Sequence, residues 1–116
     1  MDKLISRHCV PCEGGTPPLT PDQVKQHSQE LGSTWEVQEN VKIKRSFTLT
    51  DFKQTVEFFN QIADLAEAEG HHPDLHLTNY KHLTVELSTH AVGGLSDNDF
   101  IMAAKIDLLY DELPTK

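Results

Sequence analysis

The chain has 116 residues, of which 37% are hydrophobic, with a formal charge of −8 and a pI near 5.2. That length predicts one domain, able to bury roughly 60–70% of its unfolded surface. The acidic balance excludes phosphate backbones and anionic membranes as partners, because both need a basic face, and no apolar run approaches the ~20 residues of a membrane-spanning helix.

Residues 1–19 read as an irregular leader, because Pro11, Gly14, Gly15, Pro17 and Pro18 oppose regular structure. Met1 to Val10 lacks the long apolar stretch of a secretory signal, so a cytoplasmic location is expected. Cys9 and Cys12 have the spacing of a redox pair or of half a zinc site. No second pair completes four ligands, and the motif precedes the folded body instead of sitting in a βαβ unit. The expectation is a tail with two spare thiols and no bound metal.

The folded domain is expected over residues 20–112. Thr20-Pro21-Asp22-Gln23 is a helix start with a capping residue, a proline at the first helical position and a capping-box glutamine. Val24 and Leu31 give that helix a thin apolar stripe, and Gly32 stops it. Residues 35–39 alternate with period two, Asn40 can turn the chain, and Val41, Ile43, Phe47 and Leu49 alternate with polar residues on the return. This predicts a β-hairpin with one buried face, on which Arg45 is the one break.

The longest helix follows, capped by Thr50 or Asp51, with Phe52, Val56, Phe59, Ala63 and Ala66 at helical spacing. Phe58, Ile62 and Leu65 widen the stripe beyond what one sheet face needs, so a contact with a second copy is expected there. Gly70 ends the helix. In a second hairpin Leu75 and Leu77 pair with Leu83, Val85, Leu87 and Thr89, and His90 lies on the other side at the strand's end. After the turn Ala91–Leu95, Ser96 caps a last helix with an acidic first turn and an apolar face of Phe100, Ile101, Ala103, Ala104, Leu108 and Leu109. Helix, two strands, helix, two strands, helix predicts an α+β two-layer sandwich: a four-stranded antiparallel sheet with three helices on one face.

The stretch Gly70-His71-His72-Pro73-Asp74 carries the chemistry. Imidazole is the side chain that exchanges a proton near neutrality, and Pro73 pushes His72 toward extended geometry. Adjacent extended residues point opposite ways, so His71 and His72 should take different roles. His90 would join them if its strand ends beside the helix C-terminus, making a candidate acid–base site. A metal use of His71, His72 and His76 is disfavoured, since Pro73 prevents one helical face and no HExxH is present. His8 and His27 read as surface residues, and His76 and His82 as solvated strand residues; on these residues alone the same reading remains open for His71, His72 and His90.

Gly70–Asp74, Tyr80-Lys81, Leu87–Ser96, Asp99-Phe100 and Ala103–Asp107, together with Trp35, Phe47 and Asp51-Phe52, resemble the pterin-4a-carbinolamine dehydratases. The resemblance spans about residues 20–110. It implies the fold derived above and elimination of water from 4a-hydroxytetrahydropterin to give quinonoid dihydropterin, in the recycling of the pterin that aromatic amino-acid hydroxylases use. No metal or organic cofactor is implied, since the pterin is the substrate. His71 and His90 correspond to the family's catalytic acid–base pair. His72, Pro73, Tyr80, Ser88, Thr89, His90 and Ala91 correspond to positions that bind the pterin. Gly70 and Tyr80 depart from the polar residue and the aromatic, often tryptophan, common at those places. A homodimer or homotetramer is implied. So is a second class of role, as a dimerisation cofactor for a transcription factor or an assembly factor, and a third reading is pterin binding without turnover.

Overall fold

Two tight hairpins build the sheet. In the computed structural model, which describes residues 4–10 and 17–114, the first joins β1 (Glu36–Gln38) to β2 (Lys42–Thr48) and the second joins β3 (Asp74–Thr78) to β4 (His82–Leu87). Both turns place two successive residues in the left-handed region, Glu39 and Asn40 at φ 53° and 58° and Asn79 and Tyr80 at φ 51° and 55°. That geometry matches the right-handed twist of the flanking strands. The strand order is β1-β2-β4-β3, and every neighbouring pair is antiparallel. Register pairs Ile43 with Leu87, Arg45 with Val85 and Phe47 with Leu83, so one side of each central strand enters the core. The opposite side is polar, with Ser46 and Thr84 hydroxyls 2.8 Å apart and Lys42 3.4 Å from Glu86. This is the α+β sheet that the alternation predicts.

Arg45 stays on the core side because it has partners there. Its Nη1 donates to Asp107 Oδ1 at 2.7 Å, and its guanidinium lies 4.4 Å from the Phe47 ring centroid. The Trp35 indole N–H donates to the same carboxylate. Burial still pushes the Asp107 carboxyl above its ordinary range, outweighing those two donors. Val41, expected in the buried alternation, is exposed, because the chain is still turning there.

Helix α1 (Pro21–Glu30) starts at the predicted capping box on Thr20 and Gln23 and buries Val24. Helix α2 (Phe52–Glu69) is capped by Asp51, whose carboxylate accepts the Gln54 N–H at 2.8 Å. Which face of α2 is buried differs from expectation. Thr55, Phe58, Ile62 and Ala66 enter the core, whereas Phe52 is 55% exposed and Val56, Phe59 and Ala63 are half-buried. Two apolar stripes lie side by side on this helix, and contact with α3 and β4 selects the second. The stripe left partly uncovered is therefore Phe52-Val56-Phe59-Ala63, not Phe58-Ile62-Leu65.

Helix α3 (Asp97–Asp111) has no polar face over its first half: Asn98 to Ala104 are all buried. A helix apolar all round needs cover on more than one side. The leader supplies part of it. Residues Leu4–Ser6 form a 3-10 turn against α3, with Leu4 buried in the core. On the α1 side, the His27 ring lies 5.1 Å from Phe100. Residues 4–10 thus belong to the packed body, and Cys9 is no spare thiol: its Sγ is 3.6 Å from Asn98 O, and burial, helped by the Glu69 charge, pushes it up to about 12. Cys12 lies outside the described residues.

Glu69 closes α2 and accepts from the Cys9 N–H (2.8 Å) and from Lys105 Nζ (2.7 Å), with His8 Nδ1 at 3.1 Å. Burial by itself would raise this carboxyl, but those donors outweigh it and hold it at about 2 against an ordinary 4.5.

Two predictions follow from this packing. Phe58→Ala should cost about 3–5 kcal/mol in urea unfolding, whereas Phe52→Ala should stay within about 0.5 kcal/mol. Glu69 has a depressed folded-state pKa, so its contribution is present above pH 4.5 and is lost as pH falls toward 2. Glu69→Gln should accordingly flatten the fall in melting temperature across that window, which corresponds to on the order of 3 kcal/mol.

Candidate active site

Gly70 adopts a left-handed conformation at φ 68° and stops α2, with the Gly70 N–H on Ala66 O at 2.9 Å and the His71 N–H on the same oxygen at 3.3 Å. No atom lies within 4 Å of where a Cβ would stand, so backbone conformation and not space calls for glycine. The chain that leaves this cap carries the His71 side chain inward to 12% exposure, where Nε2 meets Asp99 Oδ1 at 2.7 Å.

Asp99 is fully buried. Besides His71 it receives the Thr89 hydroxyl on Oδ2 at 2.8 Å and the Ser96 N–H on Oδ2 at 3.0 Å. Thr89 Oγ1 is also 2.8 Å from Ser96 Oγ. A hydroxyl has one proton, so with Thr89 donating to Asp99, Ser96 donates to Thr89. A carboxylate at 2.7 Å holds the neutral His71 ring with its proton on Nε2 and leaves Nδ1 as the basic nitrogen.

The second half of the site lies at the end of β4. Thr89 pairs across to Gly94, through Thr89 N–H to Gly94 O at 2.8 Å, and this closes the loop containing the 3-10 turn His90–Val92. Gly94 leaves room for the Pro18 ring, because a Cβ there would stand a tight 3.0 Å from Pro18 Cβ and push it back by a few tenths of an ångström. Lys42, Asp74, Ser88, Thr89, His90 and Gly94 line a cleft of about 340 Å³. That volume is at the low end of the roughly 300–1,000 Å³ of small-molecule sites.

Ser88, Thr89 and His90 thus share one cleft, and His71 connects to its Thr89 wall through Asp99. His72 goes elsewhere. Its Nε2 is 2.6 Å from Glu67 Oε2, and with Pro73 it lines a more apolar groove of about 340 Å³ that includes Ile62, Ala66 and Leu75. Asp74 faces the first hollow and its neighbours Pro73 and Leu75 the second, as successive strand residues must. Ala91 is exposed in the 3-10 turn. Tyr80 sits in the β3–β4 turn, at the opposite end of β4 from His90, and is 57% exposed. A single chain therefore does not gather Tyr80 or the His72 ring into the His90 cleft, and His71 stands behind its wall, joined to it through Asp99 and Thr89 without lining it.

Asp99, Lys42 and Asp74 were not anticipated as site residues. Asp99 reads as a capping-box residue, which it also is. Its distinguishing signal is a carboxylate one turn before Met102 and Ala103, on the side of α3 that is buried.

The family model for pterin 4 alpha carbinolamine dehydratase matches residues 17–109. The chain belongs to the pterin-4-alpha-carbinolamine dehydratase family. A Nitrosomonas europaea protein of the same family is 45% identical over 107 residues, covering 92% of this chain and 93% of that protein. Pterin-4-alpha-carbinolamine dehydratase 2, mitochondrial, from Arabidopsis thaliana is 39% identical over 112 residues, covering 94% of this chain and 60% of that protein. Among solved structures, a transcriptional coactivator/pterin dehydratase from Brucella melitensis superposes with a TM-score of 0.73 at 31% identity, covering 79% of this chain and 97% of that one. A pterin dehydratase-like RuBisCO assembly factor of the alpha-carboxysome shares the fold, with a TM-score of 0.57 at 22% identity over 66% of this chain and 88% of that one. Membership in this family supports a pterin carbinolamine dehydratase activity, which is a hydro-lyase reaction. No helix among the described residues is long and apolar enough to cross a membrane.

Asp99→Asn tests the buried network directly. It presents an amide N–H₂ where donors already converge, and it should cost about 1–3 kcal/mol in urea unfolding. Ser46→Ala, on the open polar face of the sheet, should stay within about 0.5 kcal/mol.

Proposed function

We propose that this chain dehydrates 4a-hydroxytetrahydropterin to quinonoid dihydropterin, with His71 and His90 as the acid–base pair. The observation that carries the reading is the buried Asp99 carboxylate, which binds His71 Nε2 on one oxygen and the Thr89 hydroxyl of the His90 cleft on the other. In this scheme protonated His90 delivers a proton to the C4a hydroxyl. The C4a–O bond breaks and water leaves. His71 Nδ1 takes the proton from N5, whose electron pair forms the C4a=N5 double bond. Exchange with solvent restores both rings. Asp99 accepts the His71 Nε2–H throughout and so keeps the ring oriented while Nδ1 carries the proton. Acid–base help of this kind is worth about 10²–10⁴-fold.

Asp74 and Lys42 offer a carboxylate and an ammonium at the same cleft, matching the amino and oxo groups on a pterin's polar edge. The pterin is the substrate, so the scheme uses neither a metal nor an organic cofactor. An aromatic amino-acid hydroxylase is the proposed source of the substrate, and the cytoplasm the proposed setting, although the Arabidopsis relative is named mitochondrial. The half-covered stripe Phe52-Val56-Phe59-Ala63 supports a homodimer or homotetramer, in which His72, Pro73, Tyr80 and Ala91 would meet surfaces that one chain does not provide.

A second reading, a protein-assembly or dimerisation cofactor, is favoured by the name of the 31% identical Brucella structure, which couples a transcriptional coactivator to a pterin dehydratase. Stopped-flow absorbance with freshly generated 4a-hydroxytetrahydropterin separates the two. His71→Ala and His90→Ala should each slow dehydration about 10²–10⁴-fold. If the double variant dehydrates as fast as the parent chain, the acid–base assignment falls. If the parent chain shows no turnover, the cofactor reading stands in its place.

A further inference from the structure

Residues Arg7–Val10 lie outside the 17–109 segment that the family model matches, yet they bridge the two elements whose ends make the His71–Asp99 pair. The Cys9 N–H donates to Glu69 Oε1 at 2.8 Å, two residues before His71. Val10 makes a two-way clamp on Asn98, next to Asp99: its N–H donates to Oδ1 at 3.0 Å, and its carbonyl accepts from Nδ2 at 2.6 Å. Cys9 Sγ reaches Asn98 O at 3.6 Å, and Arg7 Nη2 donates to Asp97 Oδ2 at 3.1 Å. Lys105, two turns further along α3, reaches back to Glu69 Oε2 at 2.7 Å and ties the same helix ends together from α3 itself.

Consecutive strap residues thus hold the C-terminus of α2 and the N-terminus of α3. The helix-side partners are shielded, Asn98 at 4% exposed and the Glu69 side chain at 7%, while Val10 itself is 65% exposed. Hydrogen bonds sheltered from water hold geometry better than exposed ones, because water cannot replace a broken partner. The separation they hold is the one that matters at the site. A carboxylate that moves out of hydrogen-bond reach of His71 Nε2 no longer dictates which ring nitrogen carries the proton.

Taking His71 as the base proposed above, we infer that the strap Arg7–Val10 sets the register between α2 and α3, so that Asn98 and Glu69 are positioning residues for the His71–Asp99 pair. They touch no substrate. They act by keeping the proton of the neutral His71 ring on Nε2 and its lone pair on Nδ1.

The test is the His71 tautomer in the full-length chain, read by long-range ¹H–¹⁵N NMR on histidine-labelled protein at a pH where the ring is neutral. The parent chain should show a single Nε2–H tautomer. Asn98→Ala, which removes both Val10 bonds, should show a mixture of the two tautomers and a severalfold loss in the dehydration rate constant with a smaller change in KM. Should Asn98→Ala fold poorly, Asn98→Asp keeps the acceptor for the Val10 N–H while losing the donor to its carbonyl, and it carries the same readout. Leu77→Ala, which loosens the core at the far end of β3, should leave a single Nε2–H tautomer and so separates a positioning effect from general destabilisation. An unchanged His71 spectrum in the Asn98 variants overturns the inference. The tautomer is read without substrate, so this result does not depend on whether the chain turns over the pterin.

Discussion

A carboxylate with no exposure to solvent sits near the junction of three separate segments, and much of the molecule is arranged to satisfy it. Burying an unpaired charge costs several kcal/mol, so Asp99 must find donors. It takes one from the stretch after α2 (His71), one from the end of β4 (Thr89) and one from the turn before α3 (Ser96). None of the three belongs to a regular helix or strand interior. A single buried charge therefore brings together chain ends that the hairpins and helices alone would leave unrelated. The same arrangement sets the tautomer of His71 and the wall of the His90 cleft, so stability and proposed chemistry rest on the same atoms.

That charge is buried because α3 is enclosed. The sheet accounts for the core-facing rows of β2 and β4, but a helix buried over seven successive residues, Asn98 to Ala104, needs more cover than a sheet face supplies. Leu4 and the residues after it close part of the remaining side. The strap brings polar backbone against this interior, and three of those groups find side-chain partners there: Asn98 takes both polar groups of Val10, and Glu69 takes the Cys9 N–H. The Glu69 carboxylate is in turn matched by Lys105, which keeps it ionised despite its burial. Cys9, pushed up to about 12, is a thiol and not a thiolate at neutral pH, so here it behaves as a small packed side chain.

Much of this architecture is legible in order along the chain. Thr20 and Gln23 cap α1, Gly70 ends α2, and Ser96 opens α3, as their side-chain chemistry demands. Alternation identifies the buried rows of both hairpins apart from Val41, and Arg45 is correctly singled out as the break. The helix α2 is where periodicity misleads. Its two apolar stripes are offset by about one residue, so either satisfies a helical repeat, and only the direction from which α3 and β4 approach distinguishes them. The leader is the other case. Proline and glycine over residues 11–18 predict an irregular chain, but they carry no information about whether Leu4 finds a core to enter.

The sequence by itself determined everything that depends on near neighbours: caps, turns, strand alternation, and the Gly70–Asp74 and Ser88–Ser96 stretches in which the histidines sit. These are local, because hydrogen-bonding reach and backbone steric limits act over three or four residues. Only the tertiary structure decided that Asp99 is the hub of the site, that His72 turns to a groove on the other side of β3 from His90, and that residues 4–10 hold two helix ends together. Those outcomes depend on residues 28 to 88 positions apart. At such separations burial and charge satisfaction, summed over the whole core, choose the partner.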